Sequence, residues 1–175
     1  MTELHTSRLV LRPARPDDAP RFALGVVEFA VARWLTPMPW PFTLAMATDW
    51  LRQTAEPGSD KSLFIVDLPG KGLIGCMAHN REFGFWIARP HWGRGYAMEA
   101  ATAFLDWHFA QPGNGAIHSS AQGDNTASLS MKARLGFQQM GRERRYSHAL
   151  QYNVEHVLTR LTRADWLERE NRECA

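Results

Sequence analysis

The 175-residue chain is poor in the features that decide a protein's class at once. Its two cysteines, Cys76 in an apolar run and Cys174 near the end, fit neither a metal-ligand spacing nor a disulfide framework. No stretch approaches the roughly 20 apolar residues of a membrane-spanning helix, and no apolar run follows a basic start, as a secretory signal requires. We therefore expect no membrane partner and a cytoplasmic location.

An excess of one charge is also missing. Lys and Arg number 20 against 18 Asp and Glu, a formal net charge of +2 that does not favour a nucleic-acid partner. The one basic cluster, RERR at 142–145, is predicted to be a solvated strand face. The seven histidines form no HxxxH or HExxH pattern, so we expect no metal site.

The length and the 45% hydrophobic content predict one domain, residues 1–175, with a single core. Strand-like and helix-like segments alternate along it without a repeat. Apolar runs and turn signals predict strands at 8–14, 62–68, 73–79, 82–88 and 116–122, the middle three as an antiparallel meander.

Helix signals occupy the early part of the chain between the first two strands. Asp17 and Asp18 are placed to accept the free backbone N–H groups at the start of a helix that continues to residue 35. Three prolines stiffen the loop 36–43, and a second helix is predicted at 44–54.

The segment HWGRGYAMEA, residues 91–100, places two glycines directly before a helix pattern. A strand, a glycine turn and a helix start together form an anion site. The first helical N–H groups have no acceptor, the helix dipole is positive there, and glycine lets a phosphate approach the backbone. A glycine turn that only joins strand to helix has the same spacing, and spacing alone leaves this alternative open.

Two common phosphate-binding loops do not fit this segment. A P-loop requires Lys and Ser or Thr after its last glycine, where this chain has Tyr96 and Ala97. A dinucleotide-binding loop requires a small residue where Met98 stands. It also requires an acidic residue about 20 positions further on, and the nearest to that position is Asp124.

A second motif follows the predicted strand 116–122. The sequence NTASLSMKARLGF, residues 125–137, predicts a short helix closed by Gly136. Together, WGRGYAMEA and NTASLSMKARLGF resemble the acetyl-CoA-binding core of the GNAT acetyltransferase superfamily, and more narrowly the branch that contains the N-terminal acetyltransferases of ribosomal proteins. The resemblance covers about residues 7–167, because four further segments match in order: TSRLVLRPARPDDA, WPFT, EFGFWI and VLTRLTRADW.

The resemblance implies acetyl-CoA as co-substrate. It implies a site for the coenzyme in the splay between the strands 82–88 and 116–122, with the pantetheine arm beside Asn125 and Ser128, which match the family's NxxS positions. Trp92 stands where the family usually has Gln or Arg, a departure of little consequence if backbone groups hold the phosphates. The amides implied to hold the pyrophosphate are those of Arg94, Gly95, Tyr96 and Ala97, with the Arg94 guanidinium at the rim.

Acetyl transfer to an amine needs a base, oxyanion donors and, for the departing thiolate, a proton. Glu82, the acidic residue of its strand, is the candidate base, just before the place where the family's strand bulges; a salt-bridged strand carboxylate is the alternative. Ser128 is the candidate acid by resemblance, and a helix cap or a pantetheine partner is the alternative. The oxyanion donor is expected among the backbone N–H groups of Phe85, Trp86 and Ile87.

The acceptor site is the least determined part. Trp34, Trp40 and Phe42 flank the proline-rich loop, which by resemblance lies near the acceptor entrance, and they are candidates for an aromatic wall. Packing explains them equally well. His79 precedes the candidate catalytic strand and is a candidate proton relay, with a turn or core histidine as the alternative.

We therefore expect an α/β fold of the GNAT type: a mixed, mostly antiparallel sheet of about six or seven strands with helices on both faces. The expected function is N-acetylation of a primary amine, either a peptide N-terminus or a small molecule, by direct attack in a ternary complex. The sequence does not decide whether the protein forms a homodimer. The alternatives are a degenerate acyl-CoA-binding module and an interaction protein that docks through the hairpin RERRYSH.

Overall fold

The computed structural model of the protein describes residues 2–54 and 62–173. Cys174 lies outside these residues. The strands are β1 (Leu4–His5), β2 (Val10–Pro13), β3 (Ser62–Leu68), β4 (Gly72–Asn80), β5 (Glu82–Ile87), β6 (Ile117–Gln122), β7 (Gln138–Ser147) and β8 (Tyr152–Leu161). The helices are α1 (Ala19–Val27), α2 (Phe29–Ala32), α3 (Leu44–Thr54), α4 (Tyr96–Ala110), α5 (Thr126–Arg134) and α6 (Arg163–Glu173), with short 3₁₀ turns at Pro16–Asp18 and Arg89–His91.

The strands form one mixed sheet in the order β1-β2-β3-β4-β5-β6-β8-β7. Every neighbouring pair is antiparallel except β5 and β6, which are parallel. The mixed, mostly antiparallel sheet and the meander β3-β4-β5 confirm the predicted fold class. The sheet has eight strands, slightly more than predicted, and the two-residue β1 is too short to leave a sequence pattern.

Both faces of the sheet are covered by helices, as predicted. In β3, Phe64 and Val66 pack into the cluster that contains α4, whereas Leu63 and Ile65 pack into the cluster that contains α1 and α3. The alternation continues in β5, since Phe83 lies on the α4 face. Burial on both faces explains why these strands are continuous apolar runs.

The first predicted helix is wrong in its length. Glu28 is extended, with φ −62° and ψ 118°, and it separates α1 from the one-turn helix α2. The capping role predicted for Asp18 is met one turn earlier: its carboxylate makes no cap hydrogen bond to α1, but it closes a capping box with Arg15 at the start of the 3₁₀ turn Pro16–Asp18. It accepts hydrogen bonds from the Arg12 guanidinium at 2.7 and 2.8 Å and from the Arg15 backbone N–H at 2.7 Å.

The reason for this arrangement is the burial of Arg12, which is only 7% exposed on β2. A buried cation needs paired carboxylates, and Arg12 has Asp18 and, at 2.5 Å, Asp67. Burial by itself raises the pKa of Asp18, but the hydrogen bonds from Arg12 and Arg15 hold it below its usual range. The ion pair fastens the start of α1 to β2.

We predict that Asp18→Ala lowers the free energy of unfolding by about 3 kcal/mol, because it leaves a buried guanidinium without its main partner. The exposed neighbour Asp17 provides the matched control, and Asp17→Ala should leave stability nearly unchanged. Urea unfolding of the two variants measures both values, and equal losses would contradict a structural role for the Arg12–Asp18 pair.

Candidate active site

The glycine turn lies where the sequence places it, between β5 and α4. Gly95 is the residue before α4 and has a left-handed conformation, with φ 79°. The first helical hydrogen bond runs from the Glu99 N–H to the Gly95 carbonyl at 3.1 Å, so the preceding amides of Tyr96 and Ala97 have no intrahelical acceptor. The geometry is that of an anion site at a helix N-terminus.

An ion pair braces this turn from the start of the chain. The Arg8 guanidinium lies 2.6 Å from the Glu99 carboxylate, donates to the Arg94 carbonyl at 3.0 Å and stacks over the Tyr96 ring at 4.6 Å. Glu99 also accepts the Thr6 hydroxyl at 2.5 Å. Because these contacts join the turn to the segment before β2, its position does not depend on α4 alone.

Trp92 connects the same turn to the end of β5. Its indole N–H donates to the Ile87 carbonyl, and the Arg89 guanidinium lies 4.7 Å from its ring. The residue that departs from the family pattern therefore has a structural contact of its own.

Strands β5 and β6 are in register at one position only, Phe83 opposite Ser119. The Ser119 hydroxyl donates to the Phe83 carbonyl at 2.5 Å, which closes the pair. Beyond this point no residue pair of these two described strands is in register, and the carboxyl-terminal half of β5 pairs only with β4. The splay expected between these two strands is present in the sheet.

The helix after β6 begins beside the splay. Asn125 is its N-cap, and the side-chain oxygen of Asn125 accepts the Ser128 backbone N–H at 3.1 Å. The helix ends before Gly136, whose φ is 92°. Ser128 is half-buried on the first turn of α5. Its backbone N–H is the donor of the cap hydrogen bond to Asn125.

Glu82 lies at the start of β5 in a polar cluster. Its carboxylate accepts two hydrogen bonds from the Arg145 guanidinium, at 2.5 and 2.9 Å, and one from the Ser120 hydroxyl at 2.8 Å. The hydrogen bonds from Arg145 are the main reason why the pKa of Glu82 is lowered. Glu82 is therefore an ionised, paired carboxylate, a state that the sequence analysis left as the alternative to a base.

Lys132 is the unexpected member of this cluster. It is 2% exposed on α5 and donates to the Ser120 carbonyl at 2.6 Å. Burial lowers the pKa of its ammonium to about 7, against the attraction of Glu82. Lysine is almost never fully buried without a paired charge, so its position requires an explanation.

A buried hydrogen-bond chain extends from Ser120 toward the proline-rich loop. His156 contacts the Ser120 hydroxyl through Nδ1 at 3.2 Å and the Thr36 hydroxyl through Nε2 at 2.7 Å. The Gln122 amide donates to Thr36 at 2.9 Å. Burial lowers the pKa of His156, with Arg145 acting in the same direction, so the imidazole is neutral at pH 7.

The sequence analysis missed Ser120, Lys132, Arg145 and His156. Arg145 belongs to the basic cluster predicted to be solvated, and its neighbours on β7 are indeed exposed. Lys132 lies one helical turn after Ser128 and one turn before Leu135, a spacing that places it on the inner face of α5. This cationic residue at an apolar position is the one signal that could have been found.

The other predicted site residues are placed as follows. The pairing of β5 with β4 is regular from Glu82 to Ile87, so the bulge expected just after Glu82 is absent from these two fully described strands. The Trp86 ring is buried against Phe22, with 5.1 Å between ring centroids.

The structure does not assemble an aromatic wall from all three candidates. Phe42 is 5% exposed and belongs to the core. Trp40 is 38% exposed, contacts the Phe29 ring and donates to the Val27 carbonyl at 3.3 Å. Trp34 stacks under the guanidinium of its neighbour Arg33.

His79 is not in contact with Glu82. It lies opposite Phe83 in the β4–β5 pairing, and its ring contacts His108 of α4 at 5.4 Å between centroids. Because neighbouring residues of a strand point to opposite faces, Glu82 and Phe83 face different layers, and His79 lies on the α4 side. This placement favours the core alternative for His79.

Within residues 2–54 and 62–173, no three His, Cys, Asp or Glu side chains are grouped to hold a metal ion. In the same part of the chain, no helix has the length and the apolar character that crossing a membrane requires.

Residues 8–138 match the model of the acetyltransferase (GNAT) domain family, and the chain belongs to that family. It is 27% identical to the uncharacterized N-acetyltransferase p20 of Bacillus licheniformis over 161 residues, which are 85% of this chain and 89% of that protein. Its fold is also that of solved acetyltransferases.

Two of these structures are informative. The ribosomal-protein-S5-alanine acetyltransferase of Vibrio fischeri superposes with a TM-score of 0.80, at 20% identity, over 95% of this chain and 99% of that one. The RimJ protein of Mycobacterium smegmatis, in complex with CoA-disulfide, superposes with a TM-score of 0.74, at 24% identity, over 92% and 86%. At these identities the likeness establishes the fold.

The burial of Lys132 predicts a pH dependence of stability. Its folded pKa, about 7, is below the 10.5 of an exposed lysine, so the unfolded chain binds more protons between these values. The free energy of unfolding should therefore rise with pH in this window, by up to about 1.4 kcal/mol for each pH unit, in the parent relative to Lys132→Met. Urea unfolding at pH 7, 8 and 9 measures the difference, and parallel curves for the two proteins would contradict it.

Proposed function

We propose that the protein is an acetyl-CoA-dependent N-acetyltransferase that acts on a primary amine in the cytoplasm. The observation that carries the proposal is the position of the α4 anion site directly beside the splay of β5 and β6. A phosphate group on the free amides would place an extended arm between the two strands, toward Glu82.

The residues present fit the coenzyme at both ends. The amides from Arg94 to Ala97 would hold the pyrophosphate, and the left-handed Gly95 lets the phosphates approach the backbone. The separated strands leave backbone groups of β5 for the pantetheine arm, with Asn125 and Ser128 beside it. Acetyl-CoA supplies the activated acetyl group when bound.

The chemistry requires an unprotonated amine, and Glu82 is the proposed group that takes the proton from the acceptor ammonium. Its lowered pKa makes it a weak base but a permanent anion at neutral pH. We therefore assign it the attraction of the acceptor ammonium and, through a water molecule, the removal of its proton. The backbone N–H groups from Phe85 to Ile87 are the proposed oxyanion donors, and the Ser128 hydroxyl is the first candidate for the proton on sulfur.

A peptide N-terminus is the proposed acceptor. The support is that fold neighbours include enzymes named for ribosomal-protein alanine and serine. A small amine is the second candidate, and a panel that contains both classes decides between them. Binding of acetyl-CoA without turnover of any amine would instead favour a degenerate coenzyme-binding module.

We predict that Gly95→Glu removes acetyl-CoA binding, because it strains a left-handed backbone position and puts a negative charge at the phosphates. Gly113 is the matched control: it is also left-handed, at φ 86°, has open space around it and lies beyond the other end of α4. Calorimetric titration with acetyl-CoA should show binding to the parent and to Gly113→Glu. Unchanged affinity in Gly95→Glu would defeat the assignment of the anion site.

We predict that Glu82→Gln lowers kcat/KM by about 100-fold, the usual effect of losing a positioned proton acceptor. The loss should be uniform from pH 6 to 9, because Glu82 is ionised across this range. The assay follows thiol release from acetyl-CoA with Ala- and Ser-initiated peptides and with small amines. If the variant loses stability but keeps its rate at low temperature, Glu82 is a structural ion-pair partner of Arg145.

A further inference from the structure

Lys132 has fewer partners than a buried ammonium needs. The group carries three N–H donors, and its hydrogen bond is the one to the Ser120 carbonyl. No carboxylate of the described residues lies within 4.0 Å of its nitrogen, in contrast to the buried Arg12, which has two. A titratable group buried without a full set of partners is a candidate for function.

The single partner locates Lys132 in the sheet. Ser120 follows Ser119, the one residue of β6 that pairs with β5, so its carbonyl lies where the two strands begin to separate. In a continuous parallel sheet, backbone N–H groups of the neighbouring strand serve such carbonyls. The Lys132 ammonium reaches this point from α5, one turn after Ser128, and it lies at the inner end of the splay.

Titratable groups from three other elements face this point, and they do not neutralise the ammonium. Glu82 of β5 attracts it, but both carboxylate oxygens of Glu82 already accept from Arg145 of β7. Arg145 repels it, and His156 of β8 is neutral. A negative charge that forms in the splay would therefore have Lys132 as its available cation.

We propose that Lys132 is a catalytic residue that donates a proton to the sulfur of the departing coenzyme A thiolate. The proposal rests on the proposed function and assigns to Lys132 the role for which Ser128 was the first candidate. The amine nitrogen bonds to the acetyl carbon and gives up one proton to water, the carbon–sulfur bond breaks, and its electron pair goes to sulfur. The sulfur takes one Nζ proton, which leaves a neutral lysine that solvent protonates again.

The acidity of the group suits this role. An ammonium with a pKa of about 7 is partly protonated at neutral pH and is a stronger acid than a thiol or a serine hydroxyl. The transfer of the proton from nitrogen to sulfur is therefore favourable, and it also removes the desolvation cost of a buried charge at Lys132.

An equilibrium experiment tests the proposal without an acceptor. Calorimetry compares coenzyme A with coenzyme A whose thiol is oxidised to the sulfonate, which carries a fixed negative charge at the sulfur position. The proteins are the parent, Lys132→Met and Arg134→Met, which removes an exposed cation from the same helix. At pH 6 the preference for the sulfonate should be about tenfold larger in the parent than in Lys132→Met, the size of one charged hydrogen bond, and Arg134→Met should match the parent.

The pH dependence gives a second measurement that needs no variant. In the parent, the preference for the sulfonate should fall as pH rises from 6 to 8, because Lys132 loses its proton in this range. The same preference in parent and Lys132→Met, or a preference in the parent that is independent of pH, would overturn the proposal. Failure of the parent to bind either ligand would instead refute the coenzyme site on which the proposal rests. If Lys132→Met alone lost binding of both ligands, and the parent's preference for the sulfonate did not change with pH, the role of Lys132 would be structural.

Discussion

The parallel contact of β5 and β6 holds the two halves of the sheet together through a single pair of residues, Phe83 and Ser119. A parallel pair that continued would have closed the sheet and left no opening. Side chains bond the backbone at this contact: the Ser119 hydroxyl donates to the Phe83 carbonyl across it, and the Thr159 hydroxyl of β8, on the other side of β6, donates to the Ser119 carbonyl. Lys132 serves the next carbonyl, that of Ser120. The opening is thus maintained by polar groups, which must remain paired because they are buried.

The two ends of this opening carry different charged and polar groups. At one end, the free amides and the dipole of α4 favour an anion beside Gly95. At the other end, Glu82 and Arg145 form a closed ion pair, and the less satisfied ammonium of Lys132 lies next to it. The Glu82–Arg145 pair is partly buried, so the removal of one partner leaves a poorly solvated charge. The cluster is therefore sensitive to single substitutions.

Two arginines near the start of the chain form ion pairs with helical segments that pack on opposite faces of the sheet. Arg8 reaches the turn before α4 and pairs with Glu99, whereas Arg12, four residues later, pairs with Asp18 at the start of α1. Arg8 lies just before β2 and Arg12 lies within it, yet Arg8 is exposed and Arg12 is buried. Through them, β2 and the residues just before it are linked to the helices on both faces of the sheet.

The sequence by itself determined the parts of this protein whose cause is local. Apolar runs and turn signals predict the strands β3 to β6, and Gly95 before a helical stripe predicts an anion site, because side-chain periodicity and the backbone freedom of glycine act within a few residues. The family relationship follows from the same local motifs. The partners of Glu82 were decided only by the tertiary structure: Arg145 is 63 residues away, and Ser120 is 38. A salt bridge between residues far apart in the chain depends on which strands become neighbours, and no pattern along the chain encodes that.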